Sequence, residues 1–407
     1  MRLHHLLPLL LATTCLDAPA AAPTDPLKPY TAVMARAASP QDFVIDKFRR
    51  HDLLIFDDAM HTAVEPWQFY IDLVRNPAFH TRVRHIFIEV LPVNFQPALD
   101  AYLASPADDP GILYPALHAA SDLGWAYQTY IDLLRAVREV NQTLPPEKRL
   151  RVIGTDQPSY WPLMHTKTDW ELSLLSGEAR DYHMYAVTAN QLGNFGKGEK
   201  GILLTNTRHS YKAIRNAKGE LYWNAGTFFH ERHPGKTYVV RFHHAALELK
   251  PKAAPGGAST REGLERAQVR WIRMEDGRWD CAHAANGYRP LAVELRGTPF
   301  GKAAYVGNHM MDVKAGQTML DTYDAVIFLG QIDKFRSTAR TDIYTPEFRK
   351  ELARRIKVMW SSDELADNLK GAGVATVEAY VDAVFQPRPE RIEPAVTRLP
   401  PLTCAAN

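Results

Sequence analysis

Short apolar runs recur along the chain, each stopping at polar or ionisable side chains, and between them the apolar positions repeat at helical spacing. Leu53-Leu54-Ile55-Phe56 runs into Asp57-Asp58-Ala59-Met60-His61, and Ile86-Phe87-Ile88 into Glu89. Trp67, Tyr70, Ile71 and Val74 mark an amphipathic helix between them, so the three segments predict a βαβ unit. Leu150 to Ile153 predicts a third strand ending at Gly154-Thr155-Asp156-Gln157. Ile202 to Leu204 predicts a fourth, ending at Asn206-Thr207-Arg208-His209. Thr237 to Phe242, Val293 to Leu295 and Ala325 to Leu329 supply later strands. Helices are expected at Phe43–Phe48, Leu99–Leu103, Tyr114–Val140, Glu178–Leu192, Gly226–His233, 346–359 and 362–385. Alternating strands and helices predict an α/β fold, three-layer α/β/α, with a largely parallel sheet.

In such a sheet the strand ends gather along one edge, where ligands bind. Four ends deliver Asp57/Asp58/His61, Glu89, Asp156 and Asn206/His209. A histidine beside a carboxylate is the pair needed for general-base catalysis, the acid fixing the tautomer and stabilising the imidazolium. The same set, His61, His209, Asp58, Glu89 and Asp156, is also a nitrogen and oxygen donor set for a divalent metal. No H-E-x-x-H spacing accompanies it, and no G-x-S-x-G elbow marks a serine nucleophile. His243-His244 reads as a solvated pair, and Gly371-Ala372-Gly373 lacks the Lys-Ser of a phosphate loop. Trp67, Phe69 and Tyr70 read as core. Phe348, Leu352 and Ile356 form a core stripe on a helix whose basic residues face solvent, with Glu351 and Arg355 at i,i+4.

Composition narrows the setting. Arg2, the apolar Leu6–Leu11 stretch and Ala18-Pro19-Ala20-Ala21-Ala22 read as a signal peptide over residues 1–22, implying a periplasmic or secreted protein. Lipidation at Cys15 is the weaker alternative, since Thr14 precedes it. Residues 23–42, rich in Pro and Ala, are expected to form a mobile entry to a single domain over 43–400. No apolar run is long enough for a transmembrane segment. With 48 basic against 46 acidic residues the net charge is +2, which offers no general attraction to nucleic acid. The expected partner is therefore a small-molecule substrate; no motif bears on oligomeric state. After signal cleavage Cys281 and Cys404 remain, and export permits a disulfide between them. Lys252 to Ser259 is a Pro/Gly/Ala loop, an insertion point or a flap.

The order of these strand-end motifs resembles the erythromycin esterase-like and ChaN/Tiki superfamily. Its members carry G-E-x-x-H after a first strand, a glutamate ending the second, G-x-D, an Arg-Asp helix and a late H-N-x-H. Here the counterparts are Asp57-Asp58-Ala59-Met60-His61, Phe87-Ile88-Glu89, Gly154-Thr155-Asp156, Arg180-Asp181 with Met184 following, and Asn206-Thr207-Arg208-His209. The match spans roughly residues 50–335 as short motifs in order. Asp57 and Asp58 stand where the family has glycine and glutamate, and Asn206 where it has the first late histidine. The resemblance implies an ester hydrolase in which His61 activates water, with Asp58, Glu89 and His209 as further catalytic residues. Arg180, Asp156 and Asn206 would bind substrate, and no cofactor is implied. The ChaN branch implies haem or iron binding instead, the Tiki branch a metal-dependent peptidase, and the altered first motif a non-catalytic member.

Overall fold

The computed structural model describes residues 25–175, 177–250, 268–306 and 313–404, and of Leu249, Lys250, Gln268 and Val269 the backbone only. Residues 1–22 and the 252–259 loop lie outside the described residues. The strands, in chain order, are β1 (Leu53–Asp57), β2 (His85–Pro92), β3 (Arg151–Asp156), β4 (Gly201–Thr205), β5 (Thr237–Phe242), β6 (Ala246–Lys250), β7 (Gln268–Ile272), β8 (Leu291–Glu294), β9 (Ala325–Phe328) and the short mutually paired β10 (Arg336–Ser337) and β11 (Arg391–Ile392). Seven form one sheet in the order β3-β2-β4-β1-β5-β9-β8, and β6 pairs with β7 in a separate hairpin. Every neighbour in the large sheet is parallel except β8, which runs antiparallel to β9.

Strands buried on both faces need apolar side chains at successive positions rather than alternating ones. Residues 53–57, 85–92 and 201–205 are buried throughout. One face packs Leu54, Phe56, Ile88 and Val240 under the helices Val64–Arg75 and Gln128–Thr143; the other packs Ile55, Phe87, Leu203 and Val239 under Glu178–Gln191 and Ala225–Arg232. These two apolar layers make the fold three-layer α/β/α. Gly154 permits one close approach. β2 is irregular between Ile88 and Pro92, and a Cβ on Gly154 would sit 2.4 Å from the Leu91 carbonyl oxygen.

Several expectations are corrected. Within the expected mobile entry, Lys28–Ala35 is a helix whose Tyr30 and Met34 are buried, and Pro40 opens another, capped by Ser39. The 114–140 stretch divides into Tyr114–Ala119 and Gln128–Thr143, because Ser121, Asp122 and Gly124 adopt positive φ. The 362–385 helix divides at Gly373, which takes the left-handed C-cap conformation, so Gly371-Ala372-Gly373 is a helix end. His243 and His244 are buried, not solvated. The basic face of Pro346–Met359 is likewise partly internal: Arg355 keeps its bond to Glu351 (3.0 Å) but donates to the carbonyls of His118 and Asp122. Among the described residues no helix is long and apolar enough to cross a membrane. Cys281 and Cys404 are disulfide-bonded across a sequence separation of 123, tying the C-terminal segment to the helix Arg278–Ala285.

Candidate active site

The four strands expected to deliver chemistry are adjacent and parallel, so their C-terminal ends meet at one rim. A cavity of about 360 Å³ opens there, walled in part by His61, Glu89, Asp156, Arg180, Asp122 and Trp125. A larger one, about 590 Å³, opens on the strand-start rim; it includes the pairs Lys47–Glu294, Arg49–Asp46 and Lys212–Asp324 and none of the strand-end residues. The smaller cavity is the one that gathers the strand-end residues.

His61 follows a tight turn after β1, where Ala59 has φ of 59°. Asp57 holds that turn. It is fully buried and accepts from the Ala59 backbone N–H (2.8 Å), Thr207 Oγ1 (2.9 Å) and Tyr323 Oη (2.7 Å). Grouped in the sequence with the polar groups of the rim, Asp57 is instead a clamp beneath the cavity. Asp58 turns toward His61, whose Nδ1 lies 2.9 Å from Asp58 Oδ2. The hydroxyl of Tyr130 lies 3.2 Å from the same nitrogen, and the ring of Trp125 packs edge-on against the imidazole at 5.2 Å.

The other nitrogen, Nε2, lies 3.0 Å from Asn206 Nδ2 and 3.7 Å from Glu89 Oε2. Asn206 Oδ1 accepts from the Arg208 N–H, which turns the amide nitrogen to His61. An amide N–H can only donate, so Nε2 is the acceptor and the proton of neutral His61 sits on Nδ1, facing Asp58. The basic lone pair is therefore engaged by the Asn206 amide, on a ring that lines the cavity.

Glu89 and Arg180 join this pair to a second one. Arg180 grips Asp156 with two bonds (2.8 and 2.9 Å) and reaches Glu89 Oε1 at 3.4 Å. Glu89 also accepts from the Asn206 N–H at 3.0 Å. His209 is buried, with Nε2 3.1 Å from Glu89 Oε1 and Nδ1 2.8 Å from Asp181 Oδ1. Carboxylates on both nitrogens make His209 an imidazolium. Burial pulls its pKa down, but Glu89 and Asp181 more than reverse that and raise it to about 9. Arg180 Nη1 lies 3.0 Å from His209 Nε2, donor against donor, so it has no acceptor there.

The charges elsewhere follow the same competition. Burial opposes ionisation of Glu89, yet His209, His61 and Arg180 hold its carboxyl well below the usual carboxylate range. Burial pushes Asp58 up to about 6, with His61 limiting the rise. For His61, burial favours the neutral ring, but Asp58 and Glu89 outweigh it and the pKa is raised. The guanidinium of Arg180 lies among Glu89, Asp156 and His209, in the space a cation bound by those donors would fill. Among the described residues no group of three or more His, Cys, Asp or Glu side chains is arranged to hold a metal ion.

Of the residues singled out in the sequence, His61, Glu89, Asp156 and Arg180 wall the cavity, while Asp58, Asn206 and His209 stand behind them. His209 bonds Glu89 and is not among the residues lining the cavity. Tyr130, Trp125 and Asp181 join the site beyond the residues the motifs point to. Tyr130 belongs to a helical core stripe with Leu133, Leu134 and Val137, so spacing did not set it apart. Asp181 carried a signal, its place beside Arg180.

No protein-family model and no curated protein sequence matches the chain. Solved structures do resemble it. A succinoglycan biosynthesis protein superposes with a TM-score of 0.51 at 11% identity, covering 75% of this chain and 97% of that one. A mutant of erythromycin esterase EreC in its open conformation gives 0.48 at 13%, over 70% and 92%. ChaN of Campylobacter jejuni, in a structure of cofacial haem binding, gives 0.32 at 13%, over 49% and 85%. At such identities the likeness is one of fold, the three-layer α/β/α architecture already described.

Proposed function

We propose that this protein is an exported hydrolase of ester bonds, in which His61 activates water. The observation that carries the reading is the two-sided fixation of His61. Nδ1 is engaged by buried Asp58, and Nε2 is held as an acceptor at the wall of a cavity that also presents Glu89 and Arg180. In the proposed step water displaces the Asn206 amide from Nε2, which takes the water proton as the oxygen attacks the carbonyl carbon, and Asp58 stabilises the imidazolium. Arg180 Nη1, lacking an acceptor, donates to the oxyanion of the tetrahedral intermediate. Collapse expels the alkoxide, and His61 returns the proton to it. Asp156 and Glu89 hold the guanidinium in place. The Cys281–Cys404 bond supports export, since such bonds persist in oxidising compartments.

The test is a panel of simple esters assayed with wild type and His61→Ala. The variant should lose roughly 10²–10⁴ in kcat/KM with an unchanged circular dichroism spectrum. Undiminished hydrolysis by His61→Ala would rule the assignment out.

A further inference from the structure

The catalytic cavity has an apolar neighbour. A second cavity of about 360 Å³ is lined by Phe95, Pro115, Trp161, Pro162 and Phe348, and shares Ala119 and Ser159 with the first. On its charged wall Arg355 bonds Glu351 at 3.0 Å and lies over the Trp161 ring at 4.8 Å, and the exposed Glu347 also lines it. Ser159 Oγ, at the junction, is buried without a hydrogen-bond partner. The adjoining surface is apolar too: Tyr160 is 50% exposed and Leu163 71%.

The first cavity has the opposite character. Glu89 and Asp156 face Arg180 there, and the imidazolium of His209 lies behind Glu89, so the charges of this wall are matched among themselves. A matched wall offers no spare cation to a substrate carboxylate. We infer that the substrate is an uncharged ester carrying a long apolar chain, with the ester at His61 and the chain crossing Ala119 and Ser159 into the second cavity. The inference rests on the ester reading for the group cleaved, while the two-part site is tested by binding alone.

Methyl ketones of rising chain length are uncharged, unreactive stand-ins for the ester. Trp125 lines one cavity and Trp161 the other, so intrinsic fluorescence reports both. Burial of each methylene is worth about fourfold in affinity, so lengthening the chain by four fully buried carbons should tighten binding about 250-fold. Ala119→Leu, which narrows the junction, and Pro162→Asp, at an exposed position in the second cavity, should each cut that gain about tenfold. Fatty carboxylates should bind more weakly than ketones of equal length. A flat chain-length series in the wild type, or an undiminished gain in correctly folded Pro162→Asp, overturns the inference. Hydrolysis indifferent to His61, with the ketone trend intact, would instead overturn the ester reading and leave the two-part site standing.

Discussion

Three histidine–aspartate pairs stand at strand ends on the same rim, and among the described residues only that of His61 lines the cavity; the pairs after β1 and β5 differ most. His61 meets Asp58 at 2.9 Å after β1, and His243 meets Asp280 at 3.0 Å after β5. The side chain of His61 is 15% exposed and its second nitrogen lies at a cavity wall. That of His243 is 1% exposed, between Phe328 and Trp279, and its Nδ1 has no partner. The chemistry of the pairs is alike; access to the second nitrogen separates them. A strand-end histidine with a carboxylate is therefore insufficient to define a site.

The sharpest way to break this comparison is to remove both rings in turn. His61→Ala should lose roughly 10²–10⁴ in ester hydrolysis while staying folded. His243→Ala should keep its hydrolysis but unfold earlier in urea, by about 3 kcal/mol, since it strips a partner from buried Asp280. Similar hydrolytic losses in both variants would mean that access does not distinguish the pairs. The region around Asp280 also carries the disulfide. Cys404→Ser should cost about 3 kcal/mol in the same titration, because the cross-link restricts a long loop of the unfolded chain. Its kcat/KM should stay within about twofold of wild type, as expected if that region contributes stability rather than chemistry.

The contrast also shows where sequence reading stops. The run of β-prone apolar residues at 53–56 located β1, and the four motif-bearing strands proved to be neighbours because a parallel sheet aligns such ends. Asp57 and Asp58 look equivalent in the chain, yet period-two alternation sends their side chains to opposite faces: one clamps Tyr323 and Thr207, the other meets His61. Which face holds the cavity is set by the helices covering it. His243 and His244 were misread because a polar pair at a strand end usually meets water; here the ring of Phe335 packs over His244 and holds off solvent. Desolvation lowers the His244 pKa to about 3, a consequence of packing and not of local spacing.

A smaller effect comes from His209, the imidazolium behind the cavity. Its pKa is raised in the folded protein, so the native state holds the proton more tightly than the unfolded chain. The resulting stability is fully present below the ordinary value of 6.5 and is lost as pH rises through about 9. Glu89, held below its ordinary value, works in the other sense: its contribution is present above 4.5 and fades on acidification. Urea titrations at neutral and strongly alkaline pH should show wild type losing about 2 kcal/mol more than His209→Gln across that window. Equal losses in both would mean that Glu89 and Asp181 do not hold the ring protonated.

Asp58→Asn refines the comparison most finely, because it leaves His61 and alters only its partner. Burial alone would depress the pKa of His61; Asp58 and Glu89 raise it. Without the Asp58 charge the ring should deprotonate at lower pH. Only neutral His61 can accept a proton from water, so kcat/KM should rise with pH through the His61 pKa, and that acid limb should shift downward in the variant. The plateau should fall about tenfold, because asparagine cannot stabilise the imidazolium formed during the reaction. Asp280→Asn, made in the sealed pair, should leave the limb where it is. An Asp58→Asn limb that coincides with that of wild type would show that Asp58 supports the turn without tuning the base, and the pair at β1 would then differ from the pair at β5 in exposure alone.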